Sequence, residues 1–421
     1  MKRSFADILQ DLEDGRTRKL ARKLPDWAAA GVEVPGALAL EQCSSSATAA
    51  YKAKLVRPAF RPDTDGPLRH GRILDLTGGL GVDARALAGV ARELVYFERD
   101  AELAEAARRN FARLGAANIE VRCETVTPET ELPEADLIYA DPARRDAAGR
   151  KVFRLEDCSP DILPLLPLLL RKAPAVLLKL SPMADLAMLA QRLSPALREI
   201  HGVESGSEVK EILCLLHAPR PRSGPASAIP TSSLPAACGT EDAEEDPEPQ
   251  IFAVRLHPRR SETQAGTVPD AFCGVTARLT FAEERAAAPV FAPEVRAGDT
   301  LLEPAPALLK SGAFNLPCAR WGLFKLAPST HLYIAPAGTV PDDAAPFFKA
   351  LRIREVLPFG NAALRQAGQR WPRAEVTARD LPVTSEALQK KRGISPGGDT
   401  HIFACRRADG SAVLIVATRT I

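Results

Sequence analysis

DLTGGLGVDA, residues 75–84, joins a short apolar run to a helical one, and its reading decides the fold. Gly79 and Gly81 permit a turn with positive φ and let a ligand approach the backbone closely. Asp83 stands where it can cap the helix that follows, whose first N–H groups suit a ligand carboxylate. GLGVDA also satisfies the dinucleotide pattern G-x-G-x-x-[GA], a weak signal when it stands alone. Asp75 heads the loop, with Thr77 behind it, and would repel a pyrophosphate. It would attract a cofactor bearing a sulfonium and an α-ammonium, and S-adenosyl-L-methionine is such a cofactor.

Outward from this loop, strand-like and helical stretches alternate. Apolar runs recur at Ile73–Leu76, Leu94–Phe97, Ile119–Cys123, Leu137–Ala140 and Ala175–Leu180. Amphipathic stretches such as Asp83–Ala91 and Ala101–Leu114 lie between the first of them. Short apolar runs separated by helices predict βαβ units and a parallel sheet. Two more runs, Glu211–His217 and Ile251–Leu256, have no helix between them and read as an antiparallel pair closing the sheet. The second strand ends in YFERD (96–100), where Glu98 is placed to accept hydrogen bonds from both ribose hydroxyls. The third ends in VRCET (121–125), where Glu124 falls at the position from which a side chain meets the adenine in methyltransferases. Asp75 or Glu98 alone could equally be a helix cap or a solvated loop residue. An acid after each of the first four strands is the more specific sign.

The chain has 421 residues, enough for two or three domains, and 46% of them are hydrophobic, enough for a sizeable core. No apolar run is long enough for a membrane helix, and the start, MKRSFADILQDLEDGR, lacks the apolar stretch of a signal peptide. Eight cysteines without a CxxC pair read as small hydrophobes in a reducing cytoplasm, with no zinc or other metal site expected. Net charge is +2, so nucleic-acid binding has to be argued segment by segment. Residues 1–70 read as a helical segment, with helices over Phe5–Leu24 and around Leu40–Leu55. A domain over 71–260 is interrupted at 218–250 by a Pro-, Ser-, Ala- and acid-rich stretch that reads as a disordered surface insertion. Residues 271–421 form a second domain with strand signals at HLYIA (331–335) and AVLIVAT (412–418). No internal repeat is present, and the sequence sets no oligomeric state.

Several stretches carry a likeness to a known family. They are LEQCSSSATAAYKA (40–53), DLTGGLGVDA, YADPARRD (139–146), KVFRLEDCSPDI (151–162), LKLSPMADL (178–186), EVKEILCLL (208–216) and TARDLPVTSEALQKKRGISPGGDTHIFA (377–404). They resemble the bacterial class I S-adenosylmethionine-dependent methyltransferases with a THUMP-like C-terminal domain. Those in turn are similar to the RNA cap guanine-N2 (trimethylguanosine synthase) enzymes. The resemblance implies an α/β fold: a Rossmann-like seven-stranded methyltransferase sheet, an N-terminal helical segment and a smaller α+β domain of THUMP-like or ferredoxin-like type. It implies S-adenosyl-L-methionine as cofactor and RNA, tRNA or rRNA, as partner, methylated on a base nitrogen. A small-molecule or protein methyltransferase, or an RNA-binding protein that keeps the cofactor fold without catalysis, are the alternatives.

In nucleic-acid N-methyltransferases the fourth strand usually ends in [DNS]-P-P-[YFW]. Here YADPARR (139–145) begins that way with Asp141-Pro142, then has Ala143 for the second proline and Arg144 for the aromatic. Asp141 can accept a hydrogen bond from an exocyclic amine, and Pro142 stiffens the turn. Arg144 and Arg145 can pair with phosphates or stack on a base. They could instead pair with Glu156 and Asp157 and only hold the loop. Lys179 and Ser181 fall at the edge where open α/β sheets bind ligands. Glu208 and Lys210 read as a surface ion pair. Residues 349–407 hold twelve basic side chains against five acidic ones, a local field suited to a polyanion. Lys390, Lys391 and Arg392 belong to that set as substrate contacts, although cations near a helix C-terminus are also simply stabilising.

Overall fold

The computed structural model describes residues 5–60, 71–143, 155, 158–218, 248–258 and 272–419. The chain divides into two compact units. The first is drawn from Met1–Ser205, Lys210–Gln250 and Leu256–Gly274, the second from Gly206–Val209, Ile251–Arg255 and Val275–Ile421. The insertion expected at 218–250 falls, over 219–247, outside the described residues.

The first unit opens with helices α1 (Phe5–Lys23), α2 (Pro25–Ala29), α3 (Ala37–Gln42) and α4 (Ser46–Val56). The serine run ahead of α4 explains where it starts. Ser45 Oγ accepts from the Thr48 N–H at 3.2 Å, and Thr48 Oγ1 accepts from the Ser45 N–H at 3.1 Å. This reciprocal cap satisfies two donors that a helix start leaves open.

Strands and helices then alternate: β1 (Arg72–Asp75), α5 (Val82–Ala88), β2 (Glu93–Glu98), α6 (Ala101–Arg113), β3 (Ile119–Cys123), β4 (Leu137–Ala140), α7 (Ile162–Lys172), β5 (Ala175–Leu180), α8 (Leu186–Leu193), β6 (Leu197–Ser205) and β7 (Glu208–His217). The first five strands pair in parallel in the order β3-β2-β1-β4-β5. Every residue of β4 and β5 is buried. Burial on both faces is why these strands read as unbroken apolar runs. β7 runs antiparallel to β5, with Lys179 opposite Leu213.

The pairing expected between Glu211–His217 and Ile251–Leu256 is not what forms. The neighbours of β7 are β5 and β6, and β6 was missed. Its sequence, LREIHGVES, interleaves Arg198, Glu199, His201 and Glu204 with apolar residues, and the last two of these are buried. A strand that buries polar side chains gives no apolar run to count. With β8 (Gln250–Pro258) and β9 (Phe272–Leu279) the sheet has nine strands, in the order β3-β2-β1-β4-β5-β7-β6-β8-β9; the seven runs read from the sequence are β1 to β5, β7 and β8, with β6 and β9 in addition.

The second unit holds α9 (Phe281–Ala286), β10 (Thr300–Pro304), α10 (Pro306–Lys310), α11 (Leu316–Trp321), β11 (Phe324–Lys325), β12 (Tyr333–Ala335), β13 (Phe348–Pro358), α12 (Asn361–Arg370), β14 (Glu375–Arg379), α13 (Ser385–Arg392), β15 (Thr400–Arg406) and β16 (Ala412–Arg419). Its seven-stranded sheet has the order β11-β12-β10-β13-β16-β15-β14. Period-two alternation sends Phe403, Cys405, Val413 and Ile415 into one core with Leu301 and Leu351. Ile402, Ala404, Leu414 and Val416 enter another with Leu364 of α12 and Leu388 of α13. Among the described residues no helix is long and apolar enough to cross a membrane.

Candidate active site

β1 carries Asp75 to the C-terminal edge of the parallel strands, and the turn after it is shaped by three glycines for three reasons. A Cβ on Gly78 would lie 2.2 Å from the Tyr96 ring, so the turn packs directly on that aromatic. Gly79 has φ +64°, a conformation that a side chain would strain. Gly81 combines φ +87° with a Cβ position 2.6 Å from Phe111. Tyr96 and Phe111 meet edge to face at 5.3 Å, and the Tyr96 hydroxyl donates to the Gly79 carbonyl at 2.5 Å. The sequence pattern points to Gly79 and Gly81 but not to Gly78. Its signal was Tyr96, opposite Asp75 on the neighbouring strand, which shows only once the register is known.

The strand-end acids converge. Asp75, Glu98, Glu124 and Asp141 all line one cavity of about 580 Å3, a size typical of small-ligand sites. The stretch from Pro35 to Ser44, which no motif had assigned to a site, supplies another part of its wall. Asp75 is 1% exposed and accepts the Thr77 N–H at 3.0 Å. Burial pushes its carboxyl up to about 8, and the carboxylates of Asp83, Asp141 and Glu98 add to that against the pull of the Thr77 N–H. Glu98 accepts from the Gly79 N–H at 2.7 Å and from the Asp100 N–H at 2.8 Å, so it ties the glycine turn to the start of α6. Each of its oxygens has a second lone pair for a hydroxyl. Glu124 is exposed at the rim, and its N–H is bonded to the Glu98 carbonyl at 3.1 Å.

Asp83 does not cap α5. Gly81, in the left-handed conformation, occupies the cap position without a side-chain bond. The Asp83 carboxylate points inward instead. Its Oδ2 accepts from Tyr139 Oη and from Ser44 Oγ, each at 2.8 Å. Its Oδ1 lies 3.1 Å from the Lys52 ammonium, an ion-pair contact without hydrogen-bond alignment. Lys52 is 0% exposed and donates to Glu211 Oε2 at 2.9 Å, Ser44 Oγ at 3.1 Å and the Thr48 carbonyl at 3.4 Å. Burial alone would raise Asp83, but Lys52, then Lys179, then the two hydroxyls outweigh it and hold the carboxyl below its usual range. For Glu211 burial wins over Lys52 and Lys179, and its carboxyl is raised. Lys52 of α4, Asp83 of α5 and Glu211 of β7 thus form one buried cluster, and Asp83 brings it to the cavity wall.

Asp141 follows β4. Its N–H donates to Thr77 Oγ1 at 2.6 Å, and its Oδ2 pairs with the ammonium of Lys179. Pro142 lines the cavity beside it. The chain leaves at Ala143 and returns at Ser159, the two joined by an isolated antiparallel bridge of 2.8 and 3.0 Å. Arg99 donates to Ser159 Oγ at 3.1 Å. Arg144 and Arg145 lie outside the described residues. Ser181 is buried, accepts the Met183 N–H at 3.1 Å and is not in the cavity lining. In the second unit Lys390 is exposed at the end of α13, which Gly393 closes with φ +63°. The side chains of Lys391 and Arg392 lie outside the described residues. Among the described residues no group of His, Cys, Asp and Glu side chains is set to hold a metal ion.

Comparison with known proteins adds identity to this geometry. Residues 301–338 match a ferredoxin-like domain family and residues 348–419 a THUMP domain-like family. No curated protein matches the sequence. A Porphyromonas gingivalis W83 protein, provisionally assigned as a methyltransferase, is 30% identical, with a TM-score of 0.73 over 96% of this chain and 88% of its own. A tRNA (m1A58) methyltransferase from Aquifex aeolicus is 14% identical, with a TM-score of 0.32 over 45% of this chain and 74% of its own. A Streptococcus mutans protein provisionally assigned as a methyltransferase, solved in complex with SAH, is 11% identical, with a TM-score of 0.29 over 39% and 96%. On the strength of the first of these, together with the THUMP-like match, the chain belongs to the class I S-adenosylmethionine-dependent methyltransferases that carry a THUMP-like C-terminal domain.

Proposed function

We propose that this enzyme methylates a base nitrogen of RNA. The observation that carries the reading is Asp141: a carboxylate in an Asp-Pro turn, on the wall of the cavity that Asp75 and Glu98 also line. When bound, S-adenosyl-L-methionine supplies a methyl group on a sulfonium. The turn from Thr77 to Gly81 and the acid Asp75 would hold its amino-acid end, Glu98 its ribose hydroxyls and Glu124 its adenine. Asp141 accepts an N–H of the target amine and so aims the nitrogen lone pair into the cavity. With the cofactor bound, the reaction would be a displacement at the methyl carbon by that lone pair, the thioether leaving with the bonding pair and the nitrogen's extra proton passing to water. Such a displacement asks chiefly for alignment.

The THUMP-like match at 348–419 and the basic surplus of 349–407 support RNA as the partner. Lys390, Lys391 and Arg392, with Arg144 and Arg145, would meet its phosphates. The test is tritium transfer from labelled cofactor to separated RNA, protein and small-molecule fractions. Label in RNA, lost in Asp141→Ala while cofactor binding persists, supports the reading. Label in protein or in small molecules instead would replace it. Neutralising Lys390, Lys391 and Arg392 together should weaken RNA binding and flatten its salt dependence, by up to roughly one unit of log-log slope per lost phosphate contact.

A further inference from the structure

A lysine ammonium in the middle of a sheet edge needs a reason, because an unpaired charge there is costly. Lys179 on β5 is 7% exposed, and its ammonium pairs with Asp141 Oδ2 across the β4–β5 step. Three acids act on it: Asp141 after β4, Asp83 from α5 and Glu211 from β7. Burial would lower the lysine, but Asp141, Asp83 and Glu211 reverse that and keep the ammonium charged.

Lys52 on α4 is the other ammonium of this cluster, and it is committed elsewhere. Its donors go to Glu211, Ser44 and Thr48, and its ion-pair contacts are Asp83 and Glu211. Asp75 shows what becomes of an acid here without an ammonium of its own. It has a backbone N–H and is pushed up to about 8. Asp141 differs in two respects: its side chain is 31% exposed, and its Oδ2 has the Lys179 ammonium as partner.

We infer that Lys179 is a positioning residue for methyl transfer: its ammonium occupies Asp141 Oδ2 and holds the carboxylate in one direction, so that Oδ1 is left to take the N–H of the target amine. The inference rests on the reading of Asp141 as the target-holding group. The charge state matters chemically. An ionised carboxylate accepts the N–H and leaves the lone pair free to attack. A protonated one can donate to that lone pair and block it. A carboxylate pinned through one oxygen also keeps a fixed direction for the other, which alignment requires.

The test uses the full-length chain with aspartate carboxyls labelled in 13C. Asp141 is assigned by the resonance lost in Asp141→Asn, and its titration is followed in the native protein, Lys179→Met and Lys179→Arg. In Lys179→Met the titration should move up by roughly two units, the scale of losing an adjacent opposite charge. Lys179→Arg should restore it. An Asp141 titration unchanged in Lys179→Met overturns the inference, whatever the substrate proves to be. Single-turnover transfer of tritium to total RNA is read alongside across a pH series. In Lys179→Met the acid limb should shift with the carboxyl, with a loss of about tenfold for each unit that the carboxyl titrates above the assay pH. A shifted carboxyl with an unshifted rate profile leaves the pair standing and removes Asp141 as the target-holding group. If Lys179→Met does not fold, Lys179→Gln, which can still donate to Asp141 without a charge, carries the same two measurements.

Discussion

Both units of the chain bury lysines, and the two units treat them differently. In the first unit Lys52 has Asp83 on one side and Glu211 on the other, and Lys179 has Asp141. In the second, Lys325 on β11 is 2% exposed and donates to the neutral side-chain amide of Asn315 at 3.0 Å. The acid nearby, Glu284, spends its oxygens on the N–H groups of Phe314, Asn315 and Leu316 at 2.8–3.1 Å, where α11 begins. Burial accordingly lowers the Lys325 ammonium, with Cys318 and Glu284 only partly opposing it. The comparison separates two uses of buried polarity. Around Lys325 it joins a strand to a helix start. Around Lys52 and Lys179 charges are gathered at the wall of a cavity, at a cost in desolvation that stability alone does not justify.

Breaking the charged cluster should have the largest effect. Lys52→Met leaves two buried carboxylates without their counter-ion and should cost about 3–5 kcal/mol in urea unfolding. Lys325→Met leaves only a neutral amide unpaired and should cost roughly 1–3 kcal/mol. Equal losses would erase the contrast. Next comes Glu284→Ala, which strips three helix-start N–H groups of their acceptor. A loss of about 1–2 kcal/mol is expected, as for a helix cap, with cofactor affinity unchanged by calorimetry. A fall in that affinity would show that the second unit's joint is not merely structural.

The glycine turn sharpens the functional side. Gly78→Ala puts a methyl into the Tyr96 ring and should weaken binding of S-adenosylhomocysteine by at least about tenfold, roughly 1.4 kcal/mol. Gly79→Ala has room for its methyl and strains only φ, so its loss should be smaller.

The smallest effect is a proton count. With its carboxyl at about 8, Asp75 in the free enzyme is mostly protonated near neutral pH. A cofactor ammonium should ionise it, so S-adenosylmethionine binding releases up to one proton. Calorimetry in buffers of different ionisation heat measures that release, and Asp75→Asn should abolish it. The sign for stability follows from the same value. The unfolded chain loses this proton near pH 4, roughly, and the folded chain keeps it up to about 8. The contribution of Asp75 is therefore full below the unfolded value and falls as pH rises through that window. Asp75→Asn should flatten the fall, and an unchanged slope would mean that Asp75 is already ionised in the free enzyme.

Much of the first unit was legible because its signals are local. Continuous apolar runs mark strands buried on both faces, and the residue that ends such a run must lie at one edge of the sheet. Asp75, Glu98, Glu124 and Asp141 could therefore be placed together before any coordinates, and they do share a cavity. The glycine turn is likewise contiguous in the chain, as is the THUMP-like stretch of the second unit.

What tertiary structure decided is what those residues touch. Lys52 and Glu211 are 159 positions apart, Ser44 and Asp83 39, and Asp141 and Lys179 38. Nothing in the spacing of either member names the other, so Asp83 looked like a cap and Lys179 like a substrate contact. The polar strand β6 and the packing of Gly78 on Tyr96 were hidden for the same reason. Periodicity and strand ends follow from the backbone alone, whereas a buried charge takes its partner from strand order and register, which exist only once the chain has folded.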